Sequence, residues 1–143
     1  MTRRVKFLAI VPDCETKKTK YYAYFFCSKT NLLISIRTSI RIVDFIIKKG
    51  IRKDGSFKDY NNCIAEGLDV RKVIIKKGSN EGYITVIKVK RGHRNKDFLT
   101  PFSSGFVVSQ VLGIPLEMEK KTLNSEGVYV TRELLEASIE KNY

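Results

Sequence analysis

Apolar and polar positions alternate along the first part of the chain and then change period. Residues 4–11 read as a strand, ended by Pro12-Asp13 and a charged turn through Lys20. Residues 21–28 form an aromatic-rich second strand and residues 32–37 a third, joined by the polar Lys29-Thr30-Asn31, so the three predict an antiparallel meander. Ile36, Ile40, Val43 and Ile47 then fall on one helical stripe, which Ile42, Phe45 and Ile46 broaden, with Thr38 as N-cap and Gly50 just past the end. A helix apolar over that much of its circumference is mostly buried. After a basic loop, Ser56 and Asp59 resemble a capping box, and Phe57, Tyr60 and Ile64 give a second helix that Gly67 ends.

Strand periodicity returns at 70–77 and 82–91, on either side of Gly78-Ser79-Asn80-Glu81, which has hairpin chemistry. If Lys77 pairs with Tyr83, one face carries Val73, Ile75, Ile87 and Val89. The other carries Lys72, Lys76, Lys88 and Lys90 around Ile74, Ile84 and Val86. The first face is expected in the core and the second to be basic. A loop from Gly92 to Lys96 leads to Asp97-Phe98-Leu99, and a helix follows from about Ser103, with Phe106, Val107, Val111 and Leu112 inward and Gly113 closing it. Residues 114–118 read as a short strand, and Thr131 as the N-cap of a last helix carrying Leu134, Leu135 and Ile139. The pattern describes one α+β domain over residues 1–143, with a mixed, largely antiparallel sheet and three to four helices.

Composition narrows the class. Of 143 residues, 43% are hydrophobic and 10% aromatic, enough to offset the entropy of ordering one domain. No run approaches the roughly 18 apolar residues of a membrane span, and the basic N-terminus lacks a signal-peptide apolar region, so an intracellular, cytoplasmic, non-membrane protein is expected. Cys14, Cys27 and Cys63 are odd in number and share no C-x-x-C spacing, which favours reduced thiols over disulfides or a zinc knuckle. Residues 1–96 carry 23 Lys or Arg against 8 Asp or Glu, a net of +15, whereas residues 97–143 carry 4 against 7, a net of −3. Such an excess attracts polyanions, and points to DNA or RNA as partner.

Several stretches together resemble the bifunctional nuclease domain family. The meander and the helix after it match that family's N-terminal half in order and length. Val70-Arg71-Lys72-Val73-Ile74-Ile75 and Tyr83-Ile84-Thr85-Val86 are similar to two of its strands. The family's most recognisable stretch is an acidic residue, a short strand, then Arg-Pro-Ser-Asp-Ala opening a helix that ends in Gly-Ala-Pro. Here Asp97 begins the stretch, Pro101-Phe102-Ser103-Ser104-Gly105 stands at the turn, and Gly113-Ile114-Pro115 closes the helix. The resemblance covers nearly the whole chain and implies metal-dependent phosphodiester hydrolysis with Mg²⁺ or Mn²⁺, with Asp97, Ser103 and Ser104 as the catalytic candidates. Pro101 replaces the family's Arg and Ser104 its Asp, and its His-Asp pair has no counterpart near Ser56. A non-catalytic binding module, or an oligomeric assembly module, that keeps the fold is the alternative.

The remaining candidates have two readings each. Ser103 and Ser104 either offer hydroxyls and backbone N–H groups to a phosphate at a helix N-terminus or cap the helix. Tyr22, Tyr24 and Phe26 project from one face of a strand, as in a stacking platform for bases, or fill the core. His93 is the only histidine, so no imidazole cluster forms within one chain. Phosphate contact is assigned to Lys72, Lys76, Lys88, Lys90, Arg91 and Arg94, whose alternative is a solvated strand face. Phosphate-loop, dinucleotide-binding and nucleophile-elbow motifs are absent from the sequence.

Overall fold

The structure is a computed structural model that describes residues 1–13, 20–38, 69–78 and 82–142. Two sheets and three helices make up the described part, an α+β arrangement in which most strand pairs are antiparallel. The two helices expected between Thr38 and Gly67 fall outside the described residues. Ile36, assigned to the first of their stripes, is the last core residue of a strand instead.

Where one strand is expected over 4–11, the chain forms β1 (Thr2–Arg4) and β2 (Lys6–Asp13), which belong to different sheets. Between them Val5 is buried, and its N–H donates to the Leu116 carbonyl at 3.0 Å. No glycine or proline marks this crossing, so the sequence reads as one strand. β2 continues through Pro12, which an edge strand tolerates because one side of it needs no N–H donor. β2 pairs antiparallel with β3 (Lys20–Cys27), and β3 with β4 (Leu32–Thr38), giving the expected meander; β9 (Val128–Tyr129) adds to its far side.

The other sheet has the order β1, β8 (Leu116–Glu119), β5 (Asp69–Lys77), β6 (Tyr83–Arg91), β7 (Arg94–Pro101). β5 (Asp69–Lys77) and β6 (Tyr83–Arg91) pair with Lys77 opposite Tyr83. Gly92 and His93 then turn the chain directly into β7 (Arg94–Pro101), with Arg91 opposite Arg94. Gly92 has φ of 62° and His93 does not have positive φ, which suits a two-residue hairpin with glycine at its first central position. Residues 94–96 are therefore strand where the sequence suggested loop. Their polarity hid the strand, and polar, charged residues are what protects an exposed sheet edge.

α1 (Phe102–Leu112) returns the chain across the sheet to β8 (Leu116–Glu119), which runs parallel to β5. The helix buries Phe102, Gly105, Phe106 and Ser109, an i, i+3, i+4, i+7 stripe, with Val107 and Val108 beside it. Val111 and Leu112, expected inward, are exposed, because the stripe runs through a glycine and a serine and apolarity alone misplaces its phase. Phe106 lies 5.1 Å from Phe7 and 6.0 Å from Phe25 between ring centroids, so this side of α1 packs on the meander sheet. Gly105 meets Thr85 of β6 so closely that a β-carbon there would fall 2.0 Å from the Thr85 hydroxyl oxygen.

α2 (Lys120–Glu126) follows β8, and Lys77 holds its far end through a 2.8 Å contact from Nζ to Glu126 Oε1. α3 (Arg132–Asn142) opens as predicted, with Thr131 Oγ1 accepting from the Leu134 N–H at 3.2 Å.

Candidate nucleic-acid interface

The β5–β6 hairpin puts its two sets of residues where alternation required. Val73, Ile75, Ile87 and Val89 belong to the common core. Lys72, Lys76, Lys88 and Lys90 occupy the opposite face, with Lys72 paired to Lys88 in the register and Ile74 to Val86. A β-bulge between Val70 and Lys72 keeps the alternation in step with β6 beyond it.

Neighbouring strands modify the charge of this face. β7 sets Asp97 opposite Lys88, and Lys88 Nζ lies 3.3 Å from Asp97 Oδ2. β8 sets Glu117 opposite Ile74, and Lys72 Nζ lies 4.0 Å from Glu117 Oε2. Glu117 also accepts from Thr2 Oγ1 at 2.5 Å, which fixes its position between β1 and β5. Two of the four lysines thus face carboxylates, while Lys76 and Lys90 have no ion pair among the described residues. The ion pairs are half-exposed, and each contributes about 1 kcal/mol or less.

Arg91 and Arg94 lie at the hairpin tip beyond the core, opposite each other and exposed, on the side of Val89 and not of Lys90. They too are without an ion pair among the described residues. Exposed His93 sits between them in the turn. The six basic candidates accordingly form a lysine face and an arginine tip.

The three catalytic candidates are not brought together. Asp97 points away from the core with Lys88, whereas its neighbour Phe98 packs inward opposite Ile87. Ser103 and Ser104 are in the first turn of α1, on the core side of the same sheet. Pro101 occupies the N-cap position with no side-chain hydrogen bond, so neither serine caps the helix, which begins one residue earlier than expected. Among the described residues, no group of three His, Cys, Asp or Glu side chains gathers closely enough to hold a metal ion.

Among the described residues, Tyr83, outside this face, holds its proton with altered affinity. Burial pushes its phenol above the usual value of 10.0, the Glu126 carboxylate adds to this, and the Lys77 ammonium, 5.4 Å from the ring centre, opposes it. The cluster ties α2 to the β5–β6 hairpin.

No protein-family model matches the chain, and no curated protein matches it significantly.

Proposed function

We propose that this protein binds nucleic acid through its backbone phosphates, using Lys76, Lys90, Arg91 and Arg94 on and beside the β5–β7 ladder, with Lys72 and Lys88 held partly in reserve by Glu117 and Asp97. The observation that carries the reading is the concentration of net charge, +15 over residues 1–96, together with a strand face where lysines recur and two lack carboxylate partners among the described residues. Each phosphate contact releases condensed counterions, so the affinity falls steeply with salt. Binding without cleavage is the form we favour. The separation of Asp97 from Ser103 and Ser104 by the thickness of a sheet gives no support to hydrolysis by those three together.

The test is fluorescence anisotropy of labelled DNA and RNA oligonucleotides between about 50 and 200 mM salt. Charge reversal at Lys76, Lys90, Arg91 and Arg94 is expected to abolish binding at the higher salt. Failure of the unmodified protein to bind any polyanion at low salt overturns the reading.

We propose the cytoplasm as the protein's location. No helix among the described residues is long and apolar enough to cross a membrane, and Cys27 is a buried free thiol, as a reducing compartment permits. Self-association is a second reading. It is favoured by exposed Val128 and Tyr129 on β9 and Leu134 on α3, three large apolar residues close in sequence, and light scattering tests it.

A further inference from the structure

The meander sheet has a second face, turned away from α1. β3 lies inside that sheet, flanked by β2 and β4. Its alternate residues Ala23, Phe25 and Cys27 are buried in the core, which leaves Tyr22, Tyr24 and Phe26 on the outward side. Phe26 is buried, whereas Tyr22 and Tyr24 are partly open. The register places Val11 and Arg37 on either side of Tyr22, and Ala9 and Ser35 on either side of Tyr24. Ala9 and Ser35 are too small to cover a phenol ring. The result is a depression of about 320 Å³ lined by Val11, Pro12, Asp13, Tyr22, Tyr24 and Ser35.

Charge surrounds these rings. Arg37 stands beside Tyr22 on β4, and Lys6 stands beside Phe26 on β2; both are exposed and neither makes an ion pair among the described residues. Asp13 occupies the β2 side of the depression. Rings two residues apart on a strand are about 6.8 Å from each other. That is twice the roughly 3.4 Å per nucleotide of a stacked strand, so each ring meets a separate, unstacked base. A duplex hides its base faces and cannot supply them. Polar-tipped tyrosines are at no disadvantage in such a position, since their hydroxyls stay in water while the ring faces take the base.

We propose that this face binds single-stranded nucleic acid, with Tyr22 and Tyr24 each stacking on one base and Arg37 and Lys6 contacting phosphates at the two ends of the path. The inference rests on the nucleic-acid reading above but uses a different surface and names the form of the partner.

The experiment compares a fluorescein-labelled 15-mer oligothymidylate, a 15-base-pair duplex and heparin, which is a polyanion without bases. Tyr22→Ala with Tyr24→Ala is expected to weaken oligothymidylate binding at least about five-fold per ring, while heparin binding is unchanged. Tyr22→Phe with Tyr24→Phe keeps the affinity within about two-fold, because the ring faces remain. The chain has no tryptophan, so its tyrosine emission is read directly and serves as a second measurement on unmodified protein: oligothymidylate quenches it and heparin does not. Equal loss for both ligands, no loss for either, or absence of quenching by bound oligothymidylate overturns the inference and leaves phosphate binding by the hairpin intact. Failure of the unmodified protein to bind heparin, duplex and oligothymidylate alike overturns both readings.

Discussion

Gly105→Ala tests the packing of α1 on the sheet, because two contributions of opposite sign compete there. Alanine is the better helix former by about 1 kcal/mol, so propensity alone makes the variant more stable. The added methyl, however, would fall 2.0 Å from Thr85 Oγ1 and 2.3 Å from Thr85 Cβ. Ordinary carbon contacts begin near 3.5 Å, so the helix has to withdraw from β6 by roughly 1 Å or more. Overpacking of that kind costs about 1–3 kcal/mol. Thr85 is fully buried, and its hydroxyl is 2.7 Å from Thr100 Oγ1 and 3.1 Å from the Pro101 carbonyl oxygen. Displacing it loses those hydrogen bonds, for about a further 1 kcal/mol. The net expectation is a destabilisation of about 2 kcal/mol, read from urea denaturation followed by circular dichroism with an unchanged m-value. Thr85→Ala in the Gly105→Ala background recovers only part of the loss, since it removes Oγ1 and Cγ2 and leaves Cβ in place. A Gly105→Ala variant as stable as the unmodified protein, or more so, refutes the close approach.

Three further outcomes follow from the described geometry. Asp97→Asn is expected to leave stability within about 0.5 kcal/mol and to tighten oligonucleotide binding, since it frees Lys88 of its partner; weaker binding contradicts the assignment of the lysine face. In an absorbance titration at 295 nm, the difference between the unmodified protein and Tyr83→Phe has its midpoint above pH 10, and a midpoint at or below 10 is inconsistent with the burial of this phenol. The folded state holds that proton more tightly than the unfolded chain, so the contribution of Tyr83 to stability is complete below pH 10 and declines as the pH rises from 10 through the folded pKa. Phe106→Ala, which removes a fully buried ring packed against Phe7 and Phe25 of the meander sheet, costs about 3–5 kcal/mol; a loss below 1 kcal/mol by chemical denaturation is incompatible with the packing described.

The hairpin from Val73 to Val89 was legible in the sequence because only one of its two faces can be buried without placing lysines in the core. The register Lys77 to Tyr83 followed from that pattern and the intervening turn residues. β3 was less decidable, since both of its faces are apolar. The core takes Ala23, Phe25 and Cys27, whose face meets Phe102 and Phe106 of α1, and the tyrosines are left outside. Polar β7 carries almost none of the usual strand composition, yet its place is fixed by the two-residue turn at Gly92-His93 and by pairing along its whole length with β6. The carboxylates that temper the basic face could not be found from local sequence: Glu117 arrives through the parallel pairing of β8, 45 positions beyond Lys72. The separation of Asp97 from Ser103 and Ser104 depends on which side of the sheet α1 crosses, information that lies in tertiary packing alone.

The junction of β1 with β8 also dictates an order of events during synthesis. Thr2 reaches Glu117 over 115 positions, and the Lys120 N–H donates to the Met1 carbonyl at 3.1 Å. At roughly 5–20 residues per second, the first strand waits about 6–23 s before its partner emerges. During that interval the meander of β2, β3 and β4 can assemble from local contacts, whereas β1 remains an unpaired extension and β5 has an open side. The pairing of β1 with β8 therefore forms late, and removal of Thr2–Arg4 is expected to slow completion more than it disturbs the early meander.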